Sequence, residues 1–379
     1  MRLELIAGSG LHPFLLGMTF SEVMKQIQLF ENEVPSVRFV YNERDTLSSP
    51  LKLHLEQNGL VFSFDAISQR LSLIEVVCPT DLCLFFRREG REIDFLAPSL
   101  PARLNALYDI FGATTPGSFD EETNIFALKY PCQEFHFHIA SQYTKFFTNT
   151  SKQKCMNLRV DYPDGAAPLA MRMLFFYSVK VNEEPLFPPL PAPSPSLVNT
   201  SFLYFQEVSI NVDEHVIYWG SETCPTRISI GDPLHQITSI LGEPEATYPR
   251  QAVGGIRRKA KKKEGYALNY FSLGLDLLID GDTHEVEKVR VYSNVPGHPM
   301  FNVYQRVNFK VYKDTSTKSA ISVNSTFDDV VSVFGSSSEP LVHNPASASN
   351  PLGPCHFYSY PGVVFEVIRN GLVASVTLS

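Results

Sequence analysis

An internal repeat restricts the fold of this chain more than any other feature of its sequence. Four short amphipathic helices are predicted, each with apolar residues at helical spacing along one side. The first begins at Thr19, where Glu22 completes a capping box, and the third begins at Asp232, directly before a proline. The second covers roughly residues 99–111, and the fourth follows Ser325.

The segments that follow the helices alternate apolar and polar residues, as strands do. They are predicted at 51–55, 59–65 and 70–74 after the first helix, at 126–130 and 135–139 after the second, at 268–271, 274–280 and 286–291 after the third, and at 356–360, 362–367 and 374–378 after the fourth. This period of two gives a strand one buried and one wetter face, so each repeat is predicted to be a helix on a small antiparallel sheet. One such repeat buries its apolar face poorly, and pairs of repeats are expected to share a sheet or to stack.

A different region separates the two pairs of repeats. It contains strand-like segments at 156–162, 169–178, 202–212 and 215–219, and a proline-rich loop at 185–195. The sequence therefore predicts an α+β protein, in which tandem helix-on-antiparallel-sheet repeats in two pairs flank a β-rich insert. The predicted boundaries are 1–150 for the first pair, 151–225 for the insert and 226–379 for the second pair.

Composition and charge narrow the class of protein. Apolar residues make up 44% and charged residues 19%, which is typical of a globular chain. The formal net charge of −8 gives no general attraction to nucleic acid or anionic membranes. The six cysteines form no C-x-x-C pair, and neither a signal peptide nor an apolar run of membrane-spanning length is recognisable. We expect a soluble cytoplasmic protein with reduced thiols.

One basic run stands out from this acidic background. It consists of Arg257, Arg258, Lys259, Lys261, Lys262 and Lys263 and lies between the third helix and its strands. Such a cluster attracts anionic lipid with about 1 kcal/mol per charge near the membrane surface. The alternative is a solvated loop without a ligand, which is a common role of charge runs.

Two groups of titratable residues have the composition of a metal or catalytic site, but each also has a purely structural explanation. His136 and His138 alternate with Glu134 on a predicted strand, so all three point to one face, but no further metal ligand follows at a fixed spacing. Asp280-Gly281-Asp282, followed by His284 and Glu285, has the composition of a tight turn in which aspartate accepts backbone N–H groups. We therefore predict an exposed or hydrogen-bonded strand face and a turn, and no metal or cofactor at either place.

The segment around Asn294-Val295-Pro296-Gly297-His298 is a candidate for partner contact. Pro296-Gly297 predicts a type II turn, and Tyr304 and Arg306 follow it on a strand. An aromatic residue beside an arginine is typical of interface anchors. Pro296, Gly297, His298, Tyr304 and Arg306 are therefore predicted to contact a protein partner, with a purely structural turn as the alternative.

Sequence motifs of enzymes are missing from this chain. It contains no nucleophile elbow, Walker loop, zinc-finger spacing or dinucleotide fingerprint, and Gly8-Ser9-Gly10 lacks the preceding strand that a phosphate loop requires. No catalytic residue, cofactor or small-molecule substrate is predicted.

Several short strings are more specific than these patterns. They are Leu16-Gly17-Met18, Phe111-Gly112-Ala113-Thr114, Asn269-Tyr270-Phe271, Leu273-Gly274-Leu275-Asp276, Pro296-Gly297-His298 and the terminal Ala374-Ser375-Val376-Thr377-Leu378. In order from about Phe14 to Ser379, the chain resembles the phagosome or phagophore assembly factor family.

The resemblance implies a non-enzymatic regulator of autophagy. It implies an adaptor that forms a complex with a large WD-repeat propeller protein, is recruited to the phagophore assembly site and reaches the membrane mainly through that partner. Two other functions stay open: a module that binds phosphoinositide directly through the basic run, and a trafficking enzyme or lipid-transfer protein, which would need a deep apolar cavity or a convergent polar site.

Overall fold

The chain folds into two units that are rich in β-sheet. The computed structural model describes residues 1–77, 82–112, 114, 117–148, 162, 165, 167–177, 207–221, 224–249, 264–314, 319–343 and 353–379. Strands account for 47% of the described residues and helices for 14%. The first compact unit comprises Met1–Leu190 and the second Pro191–Ser379.

The first unit contains thirteen strands and three α-helices within its described residues. In chain order they are β1 (Arg2–Ile6), β2 (Gly10–His12), β3 (Phe14–Leu15), α1 (Phe20–Gln28), β4 (Arg38–Val40), β5 (Leu51–Leu55), β6 (Leu60–Phe64), β7 (Leu71–Val77), β8 (Cys83–Arg88), β9 (Arg91–Leu96), α2 (Leu104–Phe111), β10 (Ser118–Asp120), β11 (Ile125–Tyr130), β12 (Gln133–His138), α3 (Thr144–Thr148) and β13 (Ala170–Phe176). Short 3₁₀ turns occur at Glu56–Asn58 and Ser141–Tyr143.

These strands form two sheets. A five-stranded sheet has the order β3-β2-β1-β8-β9, and an eight-stranded sheet has the order β10-β11-β12-β13-β7-β6-β5-β4. The β1–β8 pair is parallel, whereas every described pair in the larger sheet is antiparallel. The two strand groups that follow α1 and α2 join at β7–β13 into one continuous sheet.

The second unit repeats this arrangement. Its elements are β14 (Val208–Asn211), β15 (Val216–Ser221), β16 (Cys224–Ser229), α4 (Leu234–Leu241), β17 (Ala246–Pro249), β18 (Tyr266–Tyr270), β19 (Leu275–Ile279), β20 (Val286–Tyr292), β21 (Phe309–Tyr312), β22 (Ala320–Ser322), α5 (Phe327–Phe334), β23 (Leu341–His343), β24 (Cys355–Tyr360), β25 (Val363–Val367) and β26 (Val373–Leu378). The sheets have the orders β16-β15-β14-β21-β22 and β17-β18-β19-β20-β26-β25-β24-β23. Strand for strand, both orders equal those of the first unit.

Both sheets of the second unit share one apolar core. Ile210 of β14 and Phe309 of β21 belong to the same buried cluster as Leu277 of β19 and Phe365 of β25. Val330 of α5 is fully buried in this cluster. The alternation in the strands therefore points one face of each sheet into the core, as the period of two predicts.

The structure confirms the capping box of the first helix and the glycine ends of three others, whereas α2 begins at Leu104 and α4 at Leu234, later than predicted. Thr19 accepts the N–H of Glu22 and donates its own N–H to the Glu22 carboxylate at 2.8 Å, which is the predicted capping box. Helices α2, α4 and α5 each end at a glycine with positive φ (Gly112, Gly242 and Gly335). Glycine takes up this conformation without the steric cost that a Cβ atom brings.

The predicted fold class is nevertheless wrong. The chain is not a series of helix-on-sheet repeats flanking a β-rich insert, because its framework is four sheets of five to eight strands and its helices are short. The local spacing predicted helices and strands but gave no information on how strands distant in sequence pair. The described strands in the region assigned to the insert, β13, β14 and β15, belong to sheets of the two units.

The three-part division at 1–150, 151–225 and 226–379 stays a prediction. Most of residues 151–206, including the proline-rich loop, lie outside the described residues.

Candidate functional site

One face of the second unit's eight-stranded sheet carries polar side chains that are buried or half-buried. Residues directly opposite each other share a face, and the register pairs Asp276 with Arg290 and Arg290 with Thr377. The register also pairs Tyr292 with Ser375, and Ser375 with Glu366. We call Asp276, Arg290, Tyr292, Glu366, Ser375 and Thr377 the polar face.

The chain between β20 and β21 covers this face. Residues 293–307, the covering segment, begin at Ser293, whose hydroxyl donates to the carbonyl of Val373 at 2.5 Å. Arg306 closes the segment on itself by donating from Nη1 to the carbonyl of Ser293 at 2.8 Å. The N–H of Asn302 donates to Asn294 Oδ1 at 2.7 Å. These internal bonds fix an irregular segment that has no ladder partner of its own.

A carboxylate and two phenols occupy one end of the polar face. Asp276 Oδ1 accepts from Asn269 Nδ2 at 2.7 Å, and Oδ2 accepts from the Tyr292 hydroxyl at 2.6 Å. Tyr304 of the covering segment stacks on Tyr292, with ring centroids 3.8 Å apart. Burial, followed by the Asp276 charge, raises the pKa of both phenols well above the ordinary value. Both tyrosines are therefore neutral donors at physiological pH.

A second carboxylate occupies the other end. Glu366 Oε1 accepts from His298 Nε2 at 3.1 Å, and Oε2 accepts from the Ser375 hydroxyl at 2.5 Å. Burial acts to raise the pKa of Glu366, but the bonds from His298 and Ser375, with the charge of Arg290, outweigh it and lower the pKa to about 2. Glu366 is therefore ionised at physiological pH although it is only 6% exposed.

The thiol of Cys355 lies beside this carboxylate. Burial, with the neighbouring Glu366, raises the pKa of Cys355 to about 12. A thiol with such a pKa is protonated at neutral pH and is a poor nucleophile in this state. The arrangement does not activate Cys355 for covalent catalysis.

Arg290 joins the two ends of the polar face. Its Nε donates to Thr377 Oγ1 at 3.1 Å, and its guanidinium lies near the ring of Tyr292. Both nearby carboxylates, Asp276 and Glu366, already accept hydrogen bonds on each oxygen. Arg290 thus stabilises them through charge at longer range.

A pocket of about 560 Å³ opens beside these residues at the edge of the sheet. Its lining consists of Arg290, Tyr292, His298, Pro299, Met300, Leu341, His343, Cys355, Phe357 and Glu366. Leu341 of the edge strand β23 is 72% exposed. The pocket therefore combines a polar floor with an apolar rim that water reaches.

Three donors in this pocket have the chemistry of metal ligands. One ligand atom each of His298, Cys355 and Glu366 lies within 4.8 Å of the other two, and all three residues are buried. Imidazole nitrogen, sulfur and carboxylate oxygen are the donor types that zinc binds.

The five residues predicted to contact a partner all lie in the covering segment. His298, Tyr304 and Arg306 are 4–6% exposed and form hydrogen bonds within the second unit. Gly297 has a positive φ, as the predicted turn requires, and Pro296 is buried. Their role in partner contact stays a prediction. The exposed large apolar side chains of this segment are Met300 and Val303, at 38% and 44% exposure.

The other candidate residues fulfil structural roles. His136 Nε2 lies 2.8 Å from Glu134 Oε1 on β12, and His138 is exposed on the same strand face, as predicted. Asp280 accepts the N–H groups of Asp282 and Thr283 at 2.9 and 3.1 Å, which confirms the predicted turn. The basic run, Arg257 to Lys263, lies outside the described residues. Within the parts of the chain that are described, no helix is both long and apolar enough to cross a membrane.

Sequence reasoning missed most of the polar face. Arg290, Glu366 and Ser375 stand at alternate positions between valine, phenylalanine and alanine neighbours, which reads as an ordinary half-exposed strand. The polar positions in these strands, taken together with the Pro-Gly-His string, could have indicated the site. A buried histidine needs a hydrogen-bond partner, and these positions supply candidates for it.

Comparisons with known proteins agree on one family. The family described as phagosome assembly factor 1 matches residues 10–379. A PHAF1 protein of Arabidopsis thaliana is 30% identical over 397 residues, covering 99% of this chain and 92% of the relative. PHAF1 proteins of Drosophila melanogaster and Caenorhabditis elegans are 27% and 25% identical, covering 99% and 96% of this chain and 92% and 90% of those relatives. No solved structure matches the chain. This similarity includes both units and the polar face, and we conclude that the chain belongs to the phagosome assembly factor 1 family.

Proposed function

We propose that the protein is a non-enzymatic adaptor in autophagy, which forms a complex with a WD-repeat propeller protein and associates with the phagophore. The observation that carries the proposal is the family match over residues 10–379, which includes nearly the whole chain. The family name, phagosome assembly factor, describes assembly and not catalysis.

The chemistry of the polar face supports a non-catalytic role. Cys355 holds its proton, and Glu366 and Asp276 accept hydrogen bonds on both oxygens. A protonated thiol is a poor nucleophile, and these carboxylates hold neighbouring side chains in place through their hydrogen bonds. Among the described residues of this face, the polar groups instead hold the covering segment onto the sheet.

The adaptor proposal is tested by capturing the tagged full-length protein from fed and starved cells. We expect a WD-repeat propeller protein to co-purify at about equal amount and to stay bound in high salt. A variant with Met300 and Val303 changed to serine tests whether the covering segment forms the contact, since both side chains are exposed. Reduced recovery of the propeller with this variant would indicate that the propeller contacts the surface around Met300 and Val303. A protein that is recovered alone, with unchanged autophagic flux after deletion, would contradict the adaptor role.

The second candidate function is direct binding of phosphoinositide by the basic run. Six cationic side chains within seven residues favour it, since each contributes about 1 kcal/mol near an anionic membrane. Changing Arg257, Arg258, Lys261 and Lys262 to glutamate is expected to abolish flotation of the purified protein with phosphoinositide liposomes. The same four changes to glutamine serve as the control and should weaken flotation less. Flotation that is unchanged after charge reversal would rule out this mode of membrane binding.

A further inference from the structure

We propose that the pocket of the second unit binds a zinc ion through His298, His343, Cys355 and Glu366. The sequence predicted no metal here, because the four ligands come from four different segments and have no motif spacing. The proposal concerns a site that the adaptor function does not require, and it is tested on the purified protein alone.

The strand register brings three of the four donors to one place. His343 on β23 lies directly opposite Cys355 on β24, so their side chains share a face. Glu366 on β25 lies opposite Phe357, two residues after Cys355, and therefore points to that same face. All three line the pocket of about 560 Å³.

The covering segment supplies the fourth donor. His298 lies over the sheet with Nε2 at 3.1 Å from Glu366 Oε1. His298, Cys355 and Glu366 are buried, and their ligand atoms lie within 4.8 Å of one another. Ligands of a tetrahedral zinc ion stand about 3.5 Å apart, given metal–ligand distances of roughly 2.0–2.3 Å. The His298–Glu366 pair, at 3.1 Å, is already near this spacing, and any more distant pair has to close by at most about 1.3 Å.

His343 differs from the other three ligands in its exposure to solvent. His343 is exposed at the edge of the sheet, and its ring packs edge-on against Phe357 with centroids 6.3 Å apart. To bind the ion it has to turn from Phe357 toward its cross-strand neighbour Cys355. An exposed histidine also gives an ion a path from solvent into an otherwise buried set of ligands. Two imidazoles, one thiolate and one carboxylate complete a four-coordinate set, which is typical of zinc.

The proton balance of binding is simple. Zinc takes the place of the thiol proton of Cys355, and one proton is released per ion. Each histidine binds as a neutral ring with its proton on the nitrogen that does not contact the metal. For His298 the proton therefore moves from Nε2 to Nδ1, and the N–H of Met300, which donates to Nδ1 at 3.2 Å, gives up that bond. Ser375, which donates to Glu366 Oε2 at 2.5 Å, orients the carboxylate from behind. With two anionic ligands the loaded site carries no net charge, so Arg290 in the pocket lining does not face an added cation.

The test measures metal on the full-length chain, purified without a histidine tag and without chelator. We expect about one zinc per chain by elemental analysis, and a thiolate-to-metal absorption band when cobalt replaces zinc. Cys355→Ser should abolish that band and weaken zinc affinity by more than the roughly 10–100-fold typical of an outer-shell change. Cys83→Ser, at a partly buried free cysteine in the first unit, is the matched control and should leave both unchanged.

A second variant keeps the test valid if Cys355→Ser does not fold. His343→Ala changes an exposed side chain and should fold normally, yet it should weaken zinc binding at least ~10-fold. A protein that binds no zinc at micromolar concentration overturns the site. Unchanged affinity in folded Cys355→Ser or in His343→Ala also overturns it, whereas the propeller interaction is decided separately by the capture experiment.

Discussion

The Gly274→Ala variant is expected to lose at least ~3 kcal/mol of the free energy of unfolding of the second unit. Gly274 has a φ of +73°, and an added Cβ would lie 2.2 Å from the carbonyl oxygen of Gln305 and 2.6 Å from Val307 Cγ2. The left-handed conformation alone costs a residue with a side chain about 1–2 kcal/mol. The overlap adds to this cost, because backbone atoms of the covering segment have to move.

The effect of Gly274→Ala extends from the turn at Gly274 to the covering segment. The N–H of Gln305 donates to the carbonyl of Phe271 at 2.8 Å, and the N–H of Tyr292 donates to the carbonyl of Gly274 at 3.1 Å. A displaced covering segment therefore loses its attachment to the turn and exposes part of the polar face. We expect the variant to lose zinc binding together with stability, because His298 belongs to the same segment.

Urea unfolding, followed by fluorescence, measures this effect. The only tryptophan of the chain, Trp219, is buried on β15 and reports on the second unit alone. Gly371→Ala is the matched control, since Gly371 has a similar φ of +84° with no atom within 4 Å of an added Cβ. The control should lose only about 1–2 kcal/mol. Equal losses in the two variants would contradict the close contact between Gly274 and the covering segment.

The Glu366→Gln variant is expected to lose about 3 kcal/mol of stability at pH 7, and this difference should shrink by more than half by pH 3. Folding lowers the pKa of Glu366 from 4.5 to about 2, and each pKa unit corresponds to 1.36 kcal/mol. A lowered pKa stabilises the folded state wherever the carboxyl is ionised in the unfolded chain, which is above about pH 4.5. That contribution is lost as the pH falls from about 4.5 toward 2.

The measurement is the difference in unfolding free energy between the wild type and Glu366→Gln from pH 7 down to pH 3, with chelator present to remove metal. Glu339→Gln changes an exposed carboxylate of the same unit and should stay within about 0.5 kcal/mol of the wild type. A difference for Glu366→Gln that stays constant with pH would mean that Glu366 stabilises the unit by packing and not by its charge.

Local structure was readable from the sequence where neighbours along the chain decide it. The capping box of Thr19 and Glu22 involves residues three positions apart, and a helix that ends at Gly112 needs only a residue that accepts positive φ. The turn at Asp280 is equally local. In each of these cases the interacting groups lie within one turn of chain, and the residue types alone specify the geometry.

The candidate site was predicted only in part. The string Pro296-Gly297-His298 was predicted to be either a partner contact or a structural turn, and its histidine is buried. The reason is Glu366, which lies 68 residues later and holds His298 through a hydrogen bond. Nothing in the spacing of the sequence indicates that these two residues meet.

Four of the five described helices, about half of the described strands and the family were predictable from the sequence alone. The joining of the strand groups at β7–β13 and at β20–β26 into eight-stranded sheets, and the position of a polar face under residues 293–307, follow from the folded chain and not from local patterns. Periodicity reports which side of a strand is buried, but the partner strand is selected by the packing of the whole unit. Donors as distant as His298 and Glu366 therefore come together only after the sheets have formed.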